Sequence, residues 1–473
     1  METTTMSTAA AQRVLIVSTL AFTVLFAVWV MFGVLGLPIR SELQLTANQL
    51  YWLGAAAVFT GSLFRLPFAI LSDRYGGRRL MIALLLWTAV PCCLVAYAHS
   101  FNELLVLALL FGVSGNAYSV GVSWNAAWSP DQQKGISLGV FGAGNVGASI
   151  TKCIGPTLIA TAPAAGWCWG FIPGGWRVVP VIYAVMLVIM AAIVGVATPR
   201  TDRKPGASRS VSSMVAPLGV THVWRFGLYY VVMFGAYIAW SLWLPTFYQE
   251  VYGCTLHSAA LLTALFIFPA SLLRPLGGWL SDRLGARAVT YASFIGMLLL
   301  SLPLMYSGPH DCAFSLPVVA TMVTLIGVGM GIGMAAVYRY VPEYFPDDVG
   351  VVGGLVGSIG AMGGFVLMLA FGLMEDAGIR ASAFVALAGL IGVSLIWLQV
   401  VVVAMKQERE IAEQRATEAA AYAAAEAAER ERLAQRAFWL GLHGPAISEL
   451  KETVTEGDSG VEPMVPGYGL AST

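Results

Sequence analysis

Two arginines lie inside long apolar stretches of the sequence, where a charge is costly. Arg65 and Arg274 each precede by eight residues the aspartate of a short turn, Ser72-Asp73-Arg74 or Ser281-Asp282-Arg283. In a helix this spacing places each arginine ~12 Å from its turn, near the middle of a hydrocarbon core that is ~30 Å thick. A guanidinium is always charged and presents a planar fork of donors. The pair therefore predicts an anion-binding site, and the alternative is two structural arginines bonded to backbone carbonyls.

The turns that follow the two arginines share a pattern of acid, base and glycine. A glycine permits a tight turn, and the acid can pair with a basic group or a helix end of a neighbouring bundle. Because the pattern occurs twice, about half a chain length apart, it predicts two similar membrane halves. The residues that we assign to these gating and structural turns are Asp73, Arg74, Gly76, Arg78, Asp282, Arg283, Gly285 and Arg287.

The composition is that of a membrane protein. The chain has 473 residues, of which 58% are hydrophobic and 11% charged, whereas a soluble domain carries about 25% charged residues. Apolar stretches of spanning length recur from Val14 to Ala404. We predict an all-α membrane protein with twelve transmembrane helices, at roughly 14–36, 49–71, 79–98, 103–125, 135–160, 178–198, 226–248, 258–280, 288–307, 316–338, 349–373 and 381–404.

The distribution of charge divides the chain into regions. We predict two pseudo-symmetric six-helix bundles at 1–198 and 225–405, a cytoplasmic linker at 199–224, and a cytoplasmic tail at 406–473. Lysine and arginine in the short loops concentrate on one side, which places both termini in the cytoplasm. The tail is rich in Ala, Glu and Arg over 407–436, which predicts a soluble helix. Residues 453–473 are expected to be disordered.

Two glycine-rich segments occupy matching places in the two halves. Gly139 and Gly142 correspond to Gly354 and Gly357, and glycines at this spacing form a flat helix face that a neighbouring helix can approach closely. Packing explains the glycines but does not explain Asn145, a donor and acceptor deep within a span.

At these residues the sequence resembles the nitrate/nitrite porter family of the major facilitator superfamily. The glycine segments are similar to the paired signature of that family, the two turns to the loop motif of the superfamily, and 26–39 to the first span of the family. The resemblance covers about 14–405. It implies the major facilitator fold and transport of nitrate or nitrite by alternating access, either as nitrate/nitrite exchange or as nitrate/proton symport. The substrate-binding residues that it implies are Arg65, Arg274, Asn145, Tyr230, Phe234, Gly144, Ser358 and Gly360.

Two further basic residues within or near the predicted spans are not accounted for by the resemblance to the nitrate/nitrite porter family. Lys152 lies in the outer half of the fifth predicted span and Arg339 at the inner end of the tenth. Each is a candidate coupling residue, and the alternative is that its side chain snorkels to the nearest interface. No Asp or Glu falls in the middle of a predicted span, so a carboxylate proton relay is not expected. If protons are coupled, Lys152, a tyrosine or the anion itself must be involved.

The sequence also constrains partners and location. The expected partners are nitrate, nitrite, protons in the symport case, and the lipid bilayer of the cell inner membrane. Nucleic acid is not expected because there is no basic patch. No cofactor, metal or enzymatic activity is expected, and we expect a monomer. Two alternatives stay open: a porter of small carboxylates of the oxalate/formate type, and a non-transporting membrane sensor that signals through its tail.

Overall fold

The computed structural model describes residues 8–130, 134–163, 166–167, 172–204, 212, 215–306, 314–345, 349–379 and 381–439. Within these ranges the chain forms helices and connecting turns, with a single isolated bridge between Trp167 and Ile172. The predicted all-α fold is therefore confirmed. Part of the predicted tail, including 453–473, lies outside the described residues.

Among the described residues, ten α-helices precede the predicted linker. They are α1 Thr8–Trp29, α2 Phe32–Leu43, α3 Ala47–Leu63, α4 Arg65–Tyr75, α5 Gly77–Val95, α6 Phe101–Gly112, α7 Ala117–Trp128, α8 Lys134–Gly142, α9 Gly147–Thr161 and α10 Val178–Ala197. Short 3₁₀ turns join α6 to α7 at Val113–Asn116 and α8 to α9 at Ala143–Val146. Several of the predicted spans are thus built from two helical pieces.

In the described residues from 221 onwards there are eight α-helices, the first of which begins within the last residues of the predicted linker. They are α11 Thr221–Tyr230, α12 Ala236–Tyr252, α13 Leu256–Leu272, α14 Arg274–Leu284, α15 Ala286–Leu304, α16 Leu316–Tyr344, α17 Val349–Asp376 and α18 Ser382–Trp439. A π-helical turn at Val231–Gly235 joins α11 to α12.

Eleven of the twelve predicted spans correspond to helices, or bent helix pairs, that could cross a membrane. Among the described residues, nine helices are long and apolar enough to cross a membrane, or up to eleven if each of two bent pairs counts as one span. The remaining predicted span, 135–160, is helical as α8, its 3₁₀ turn and α9, but it is not in that count. The count of twelve stays a prediction.

Both bent spans carry their arginine at the bend. The chain bends by 40° between α3 and α4 and by 43° between α13 and α14, and Arg65 and Arg274 are the first residues after the two breaks. Pro67 and Pro275 follow closely. A proline has no N–H to donate to the carbonyl four residues earlier, so the helix is interrupted there. The residues before the two arginines, Phe64 (φ −91°, ψ 6°) and Leu273 (φ −85°, ψ 2°), have nearly the same backbone angles, so both arginines begin a helix from the same local backbone.

The turns that follow Asp73 and Asp282 are predicted to face the cytoplasm and are called the inner turns below. They share a backbone conformation at their glycines and differ in their partners. Gly76 and Gly285 adopt φ of 96° and 85°, a left-handed conformation that suits glycine. In the second turn Asp282 pairs with Arg339 at 2.8 Å. The first turn lies against Asp202, at the start of the predicted linker, and a Cβ at Gly76 would lie 2.8 Å from the Asp202 carboxylate.

Asp202 joins two helices of the first half, α5 and α7. Its Oδ2 accepts a hydrogen bond from the backbone N–H of Arg78 in the first turn of α5, at 2.8 Å. Its Oδ1 accepts from the indoles of Trp124 at 3.0 Å and Trp128 at 2.8 Å, both on α7. A carboxylate at a helix N-terminus is stabilised by the helix dipole. The Arg78 side chain in turn donates to Gly195 O in the last turn of α10, at 2.6 Å.

The last helix continues from the predicted span into the predicted tail. The span at 381–404 and the soluble helix at 407–436 are parts of one helix, α18, which runs without a break from Ser382 to Trp439. The sequence from 395 to 439 contains no glycine or proline, so nothing in it interrupts a helix. The chain divides into two compact units, 1–395 and 396–473. The predicted boundaries at 198, 224 and 405 stay predictions.

We expect Asp202→Ala to lower the melting temperature of the purified protein. The substitution removes the acceptor of the Arg78 N–H and of two indoles, and hydrogen bonds to a charged group contribute about 1.5–3 kcal/mol each at most. Thermal unfolding in detergent measures the change. Glu418→Ala, which removes an exposed acid of α18, is the control. Equal melting temperatures for the two variants would contradict the role of Asp202.

Candidate anion-binding site

Arg65 is completely buried at the break between α3 and α4. Its Nε donates to Gly61 O at 3.2 Å, and its Nη1 donates to Gly357 O on α17 at 3.0 Å. Its Nη2 has no hydrogen-bond partner within the described part of the chain. Two of the donor atoms of Arg65 thus make the carbonyl contacts of the structural alternative, while Nη2 is left without a partner among the described residues.

Arg274 occupies the equivalent place in the second half and is 5% exposed. Its Nη1 donates to Gly142 O on α8 at 3.3 Å, and its Nη2 donates to the hydroxyl of Tyr230 at 2.9 Å. A longer contact of 3.5 Å joins Nη2 to the hydroxyl of Tyr118. All of these partners are neutral.

The two arginines reach crosswise between the halves. Arg65, in the first half, contacts Gly357 of the second glycine segment, and Arg274, in the second half, contacts Gly142 of the first. Gly142 and Gly357 are the glycines that the sequence comparison pairs. A Cβ at Gly142 would lie 3.1 Å from Arg274 Nη1, and one at Gly357 would lie 2.7 Å from the Tyr338 hydroxyl. The glycines therefore allow the arginines to approach the backbone.

Aromatic rings surround the guanidiniums. The Cζ atoms of Arg65 and Arg274 lie 5.5 and 5.7 Å from the ring centroid of Tyr118, so both charges pack on one ring. Arg65 also lies 5.1 Å from the Phe234 ring and 5.5 Å from the Trp29 ring. Such contacts stabilise a buried cation without neutralising it.

The aromatic residues were only partly predicted. Tyr230 and Phe234 were expected from the family resemblance, and the structure brings both to the arginines, with their rings 5.2 Å apart. Tyr118, Tyr338 and Trp29 were missed. Tyr118 could have been found, because a buried phenol in the middle of an apolar span needs a partner for its hydroxyl.

Asn145 lies on the 3₁₀ turn between α8 and α9 and is completely buried. Neither its side-chain oxygen nor its side-chain nitrogen has a hydrogen-bond partner among the described residues. Burying an amide without partners costs about 1–3 kcal/mol by mutational measures. This unsatisfied amide is therefore a group that a bound polar ligand would stabilise.

The three small residues expected to line the site have different neighbours. Gly144 faces α1, where a Cβ would lie 2.6 Å from Phe22. Gly360 lies under Tyr230, whose Cδ1 would be 2.3 Å from a Cβ at that position. Ser358 Oγ donates to Ser62 O across the halves at 3.2 Å. Gly144 is thus placed for helix packing, whereas Gly360 and Ser358 support the arginine region.

The two candidate coupling residues lie in different environments. Lys152 is completely buried and its Nζ has no hydrogen-bond partner within the described ranges, so snorkelling is wrong for this residue. Arg339 is half-exposed and pairs with Asp282 of the second inner turn. The structure therefore places Arg339 on α16, beside the second inner turn, and Lys152 inside the protein.

Polar contacts join the halves at the end opposite the inner turns. The Tyr51 hydroxyl of α3 lies 2.7 and 2.8 Å from the two carboxylate oxygens of Glu375 on α17. The indole of Trp243 donates to the same carboxylate at 3.2 Å, and Arg40 pairs with Glu250 at 2.6 Å. Glu375 lies two residues beyond the predicted span at 349–373, so it is consistent with the expectation that no acid falls in the middle of a span.

The electrostatics favour an anion. Two guanidiniums are buried near one another, and the hydrogen-bond partners found for them are carbonyls and phenols. A buried charge without a countercharge is strongly unfavourable. A small planar oxyanion would supply that countercharge and would accept from the free Arg65 donor and the Asn145 amide.

Comparison with known proteins identifies the family. The family model described as Major Facilitator Superfamily matches residues 17–367 and 254–448. The probable nitrate/nitrite antiporter NarK1 of Thermus thermophilus is 52% identical over 410 residues, which cover 84% of this chain and 93% of that protein. The chain belongs to the nitrate/nitrite porter family of the major facilitator superfamily. The porter is therefore a multi-pass membrane protein of a transporter family, which confirms that it is not an enzyme.

More distant relatives agree with this assignment. The porter is 28% identical over 366 residues to the nitrite extrusion protein of Bacillus subtilis strain 168, with 77% of this chain and 87% of that protein covered. A crystal structure of a bacterial homologue of the human lysosomal transporter Spinster matches with a TM-score of 0.62 at 18% identity, over 83% of the porter and 96% of that chain. This structural match supports the fold.

We expect Gly357→Ala to reduce transport by the porter about tenfold. The added methyl group would lie 2.7 Å from the Tyr338 hydroxyl and 3.5 Å from Arg65 Nη1, and overpacking of this kind costs about 1–3 kcal/mol. Uptake in proteoliposomes, with nitrate as the test anion, measures the change. Gly354→Ala on the same helix is the matched control, because its methyl group makes only a 3.7 Å contact with Ala69. Equal losses in both variants would contradict the close approach at Gly357.

We expect Glu375→Ala to loosen the contacts between the halves at the Tyr51 end. The substitution leaves the Tyr51 hydroxyl and the Trp243 indole without their shared acceptor. Leu50, which lines a small cavity beside Tyr51 and Met368, is replaced by cysteine in a chain without native cysteines. An impermeant thiol reagent should modify this cysteine at least about fivefold faster in the variant. Asp376→Ala, at the exposed neighbouring acid, should leave the rate unchanged, and an unchanged rate in Glu375→Ala would refute the contact.

Proposed function

We propose that the porter exchanges nitrate and nitrite across the cytoplasmic membrane by alternating access, with the anion held between Arg65 and Arg274. The observation that carries this proposal is the pair of buried guanidiniums on the Tyr118 ring, whose hydrogen-bond partners in the described chain are all neutral. The relative at 52% identity is named a probable nitrate/nitrite antiporter.

The shape of the site fits a small planar anion. The guanidinium groups of Arg65 and Arg274 are planar, and each can donate hydrogen bonds to the oxygens of an anion that lies in its plane, three oxygens in nitrate or two in nitrite. Phe234 and Tyr230 stack beside the forks, and rings of this kind fit the flat face of nitrate. Asn145 supplies a further donor and acceptor. Phe234 and Trp29 leave little polar surface around Arg65, which disfavours a larger carboxylate with its own polar groups.

Charge repulsion links binding to the movement of the halves. In the empty porter the two guanidiniums repel one another, and this repulsion opposes any state in which they approach more closely. A bound anion neutralises part of the charge and permits the halves to close and reopen on the other side. Return of the empty porter is then slow, which favours exchange over net uptake. We place both termini and the inner turns in the cytoplasm, and we propose a monomer as the working unit.

Counterflow in proteoliposomes tests the exchange. Vesicles are loaded with nitrate, with nitrite or with neither, and uptake of labelled nitrate is followed with and without a pH gradient. Exchange predicts fast uptake only when an anion is present inside, and no stimulation by the pH gradient. Uptake that does not depend on the internal anion and increases with the proton gradient would contradict exchange and would support proton symport.

The same vesicles test the substrate class. An excess of oxalate or formate outside should leave labelled nitrate uptake unchanged, whereas an excess of nitrite should abolish it. Strong competition by the carboxylates would contradict the assignment to nitrate and nitrite and would support a carboxylate porter.

We expect Arg65→Lys to reduce transport at least about a hundredfold. Lysine keeps the charge but loses the planar fork, and with it the simultaneous contacts to Gly357 O and to the anion. Nitrate exchange by the purified variant measures the loss, with Arg415→Lys on the exposed part of α18 as the control. Near-normal exchange by Arg65→Lys would mean that charge alone suffices and would contradict recognition by the fork.

A further inference from the structure

A line of buried polar groups extends from Asn145 along one face of α9. Ser149 and Lys152 follow Asn145 by four and seven residues, a spacing that places all three side chains on the same side of a helix. Ser149 is 3% exposed, and Asn145 and Lys152 are completely buried. The Asn145 amide, the Ser149 hydroxyl and the Lys152 ammonium group all lack hydrogen-bond partners among the described residues.

The line leads away from the inner turns. Seven residues of helix place Lys152 about 10 Å from Asn145. Its Nζ would lie 2.8 Å from a Cβ at Gly33 of α2, and Ser241 O of α12 would lie 2.9 Å from that same position. Further along, α2 and α12 carry Arg40 and Glu250, which form the ion pair between the halves. Lys152 therefore lies between Asn145 and the Arg40–Glu250 ion pair along the direction of α9.

No acidic side chain pairs with Lys152 among the described residues. The groups identified beside it are the backbone of Gly33, the carbonyl of Ser241 and the side chain of Cys153. A buried ammonium group without a countercharge is unfavourable, and such a group inside a membrane protein usually serves a pathway. Ser149, one turn away, adds a hydroxyl donor. Together they offer an ammonium group and a hydroxyl to a small anion, without the planar forks of the arginine pair.

We propose that Lys152 and Ser149 form a second small-anion subsite, which an anion from the outer side occupies before it reaches Asn145 and the two arginines. This subsite rests on the proposed function, because its ligand is the transported anion. It holds the anion by charge and by one hydroxyl, so it is less selective than the arginine pair. It also lets an incoming anion move inward along one helix face in steps of about one turn.

The test measures the KM for nitrate separately from each side of the membrane. Right-side-out and inside-out vesicles carry the full-length wild type, Lys152→Met or Ser149→Ala, with nitrite on the opposite side. For Lys152→Met the KM for outside nitrate should rise about tenfold or more, because a charge-assisted hydrogen bond is lost. The KM for inside nitrate should change less than about twofold. Ser149→Ala should show the same asymmetry with a smaller rise.

The controls separate this subsite from the arginine site and from folding. Lys406→Met removes an exposed lysine of α18 and should leave both KM values unchanged, and Lys152→Arg should restore most of the outside affinity. A rise of equal size from both sides, or unchanged KM values in Lys152→Met and Ser149→Ala, would overturn the subsite. If Lys152→Met does not fold, Ser149→Ala alone decides by the same criterion. Failure of the wild type to exchange nitrate would instead overturn the proposed function.

Discussion

Two buried like charges held beside a single tyrosine ring are the constraint on which the rest of this structure depends. The proline-linked breaks put Arg65 and Arg274 at equivalent bends, and glycine at 142 and 357 lets each reach a backbone carbonyl of the opposite half. Carbonyls and rings stabilise the two charges without cancelling them. The remaining imbalance is what gives the site its affinity for an anion.

The crosswise contacts also explain how binding can be linked to movement. Because each arginine belongs to one half and bonds to the other, a change in the relation between the halves alters both guanidinium environments together. The contacts at the other levels are of a different kind. Glu375 and Glu250 join the halves near Tyr51 and Arg40, whereas Asp202 and Asp282 bind within their own halves. Acidic groups thus hold the helix ends, while the centre keeps its positive charge.

The sequence predicted the features that are repeated in the two halves and the charges that are energetically costly to bury in a membrane. An arginine eight residues before a duplicated turn identifies Arg65 and Arg274, and matched glycines identify Gly142 and Gly357. A tyrosine within a span, such as Tyr118 or Tyr338, indicates that its hydroxyl needs a partner, but the sequence does not show which helix the ring contacts. The pairing of Arg339 with Asp282 and the binding of Asp202 to two indoles depend on tertiary contacts that spacing does not encode. The helix at 407–436 is readable from composition alone, because Ala, Glu and Arg are strong helix formers.

The central claim is that an anion at the arginine pair permits the halves to move, and a distance measurement tests it most directly. Spin labels are attached at Tyr75→Cys and Leu284→Cys, which are exposed at the inner ends of α4 and α14. Double electron–electron resonance then measures the distance between the two halves. Saturating nitrate should shift the distance distribution in a chain that keeps both arginines and lacks the native cysteines, and leave it unchanged when Arg65 and Arg274 are both replaced by glutamine. A distribution that nitrate does not alter in the native pair, or alters equally in the glutamine variant, would contradict the account.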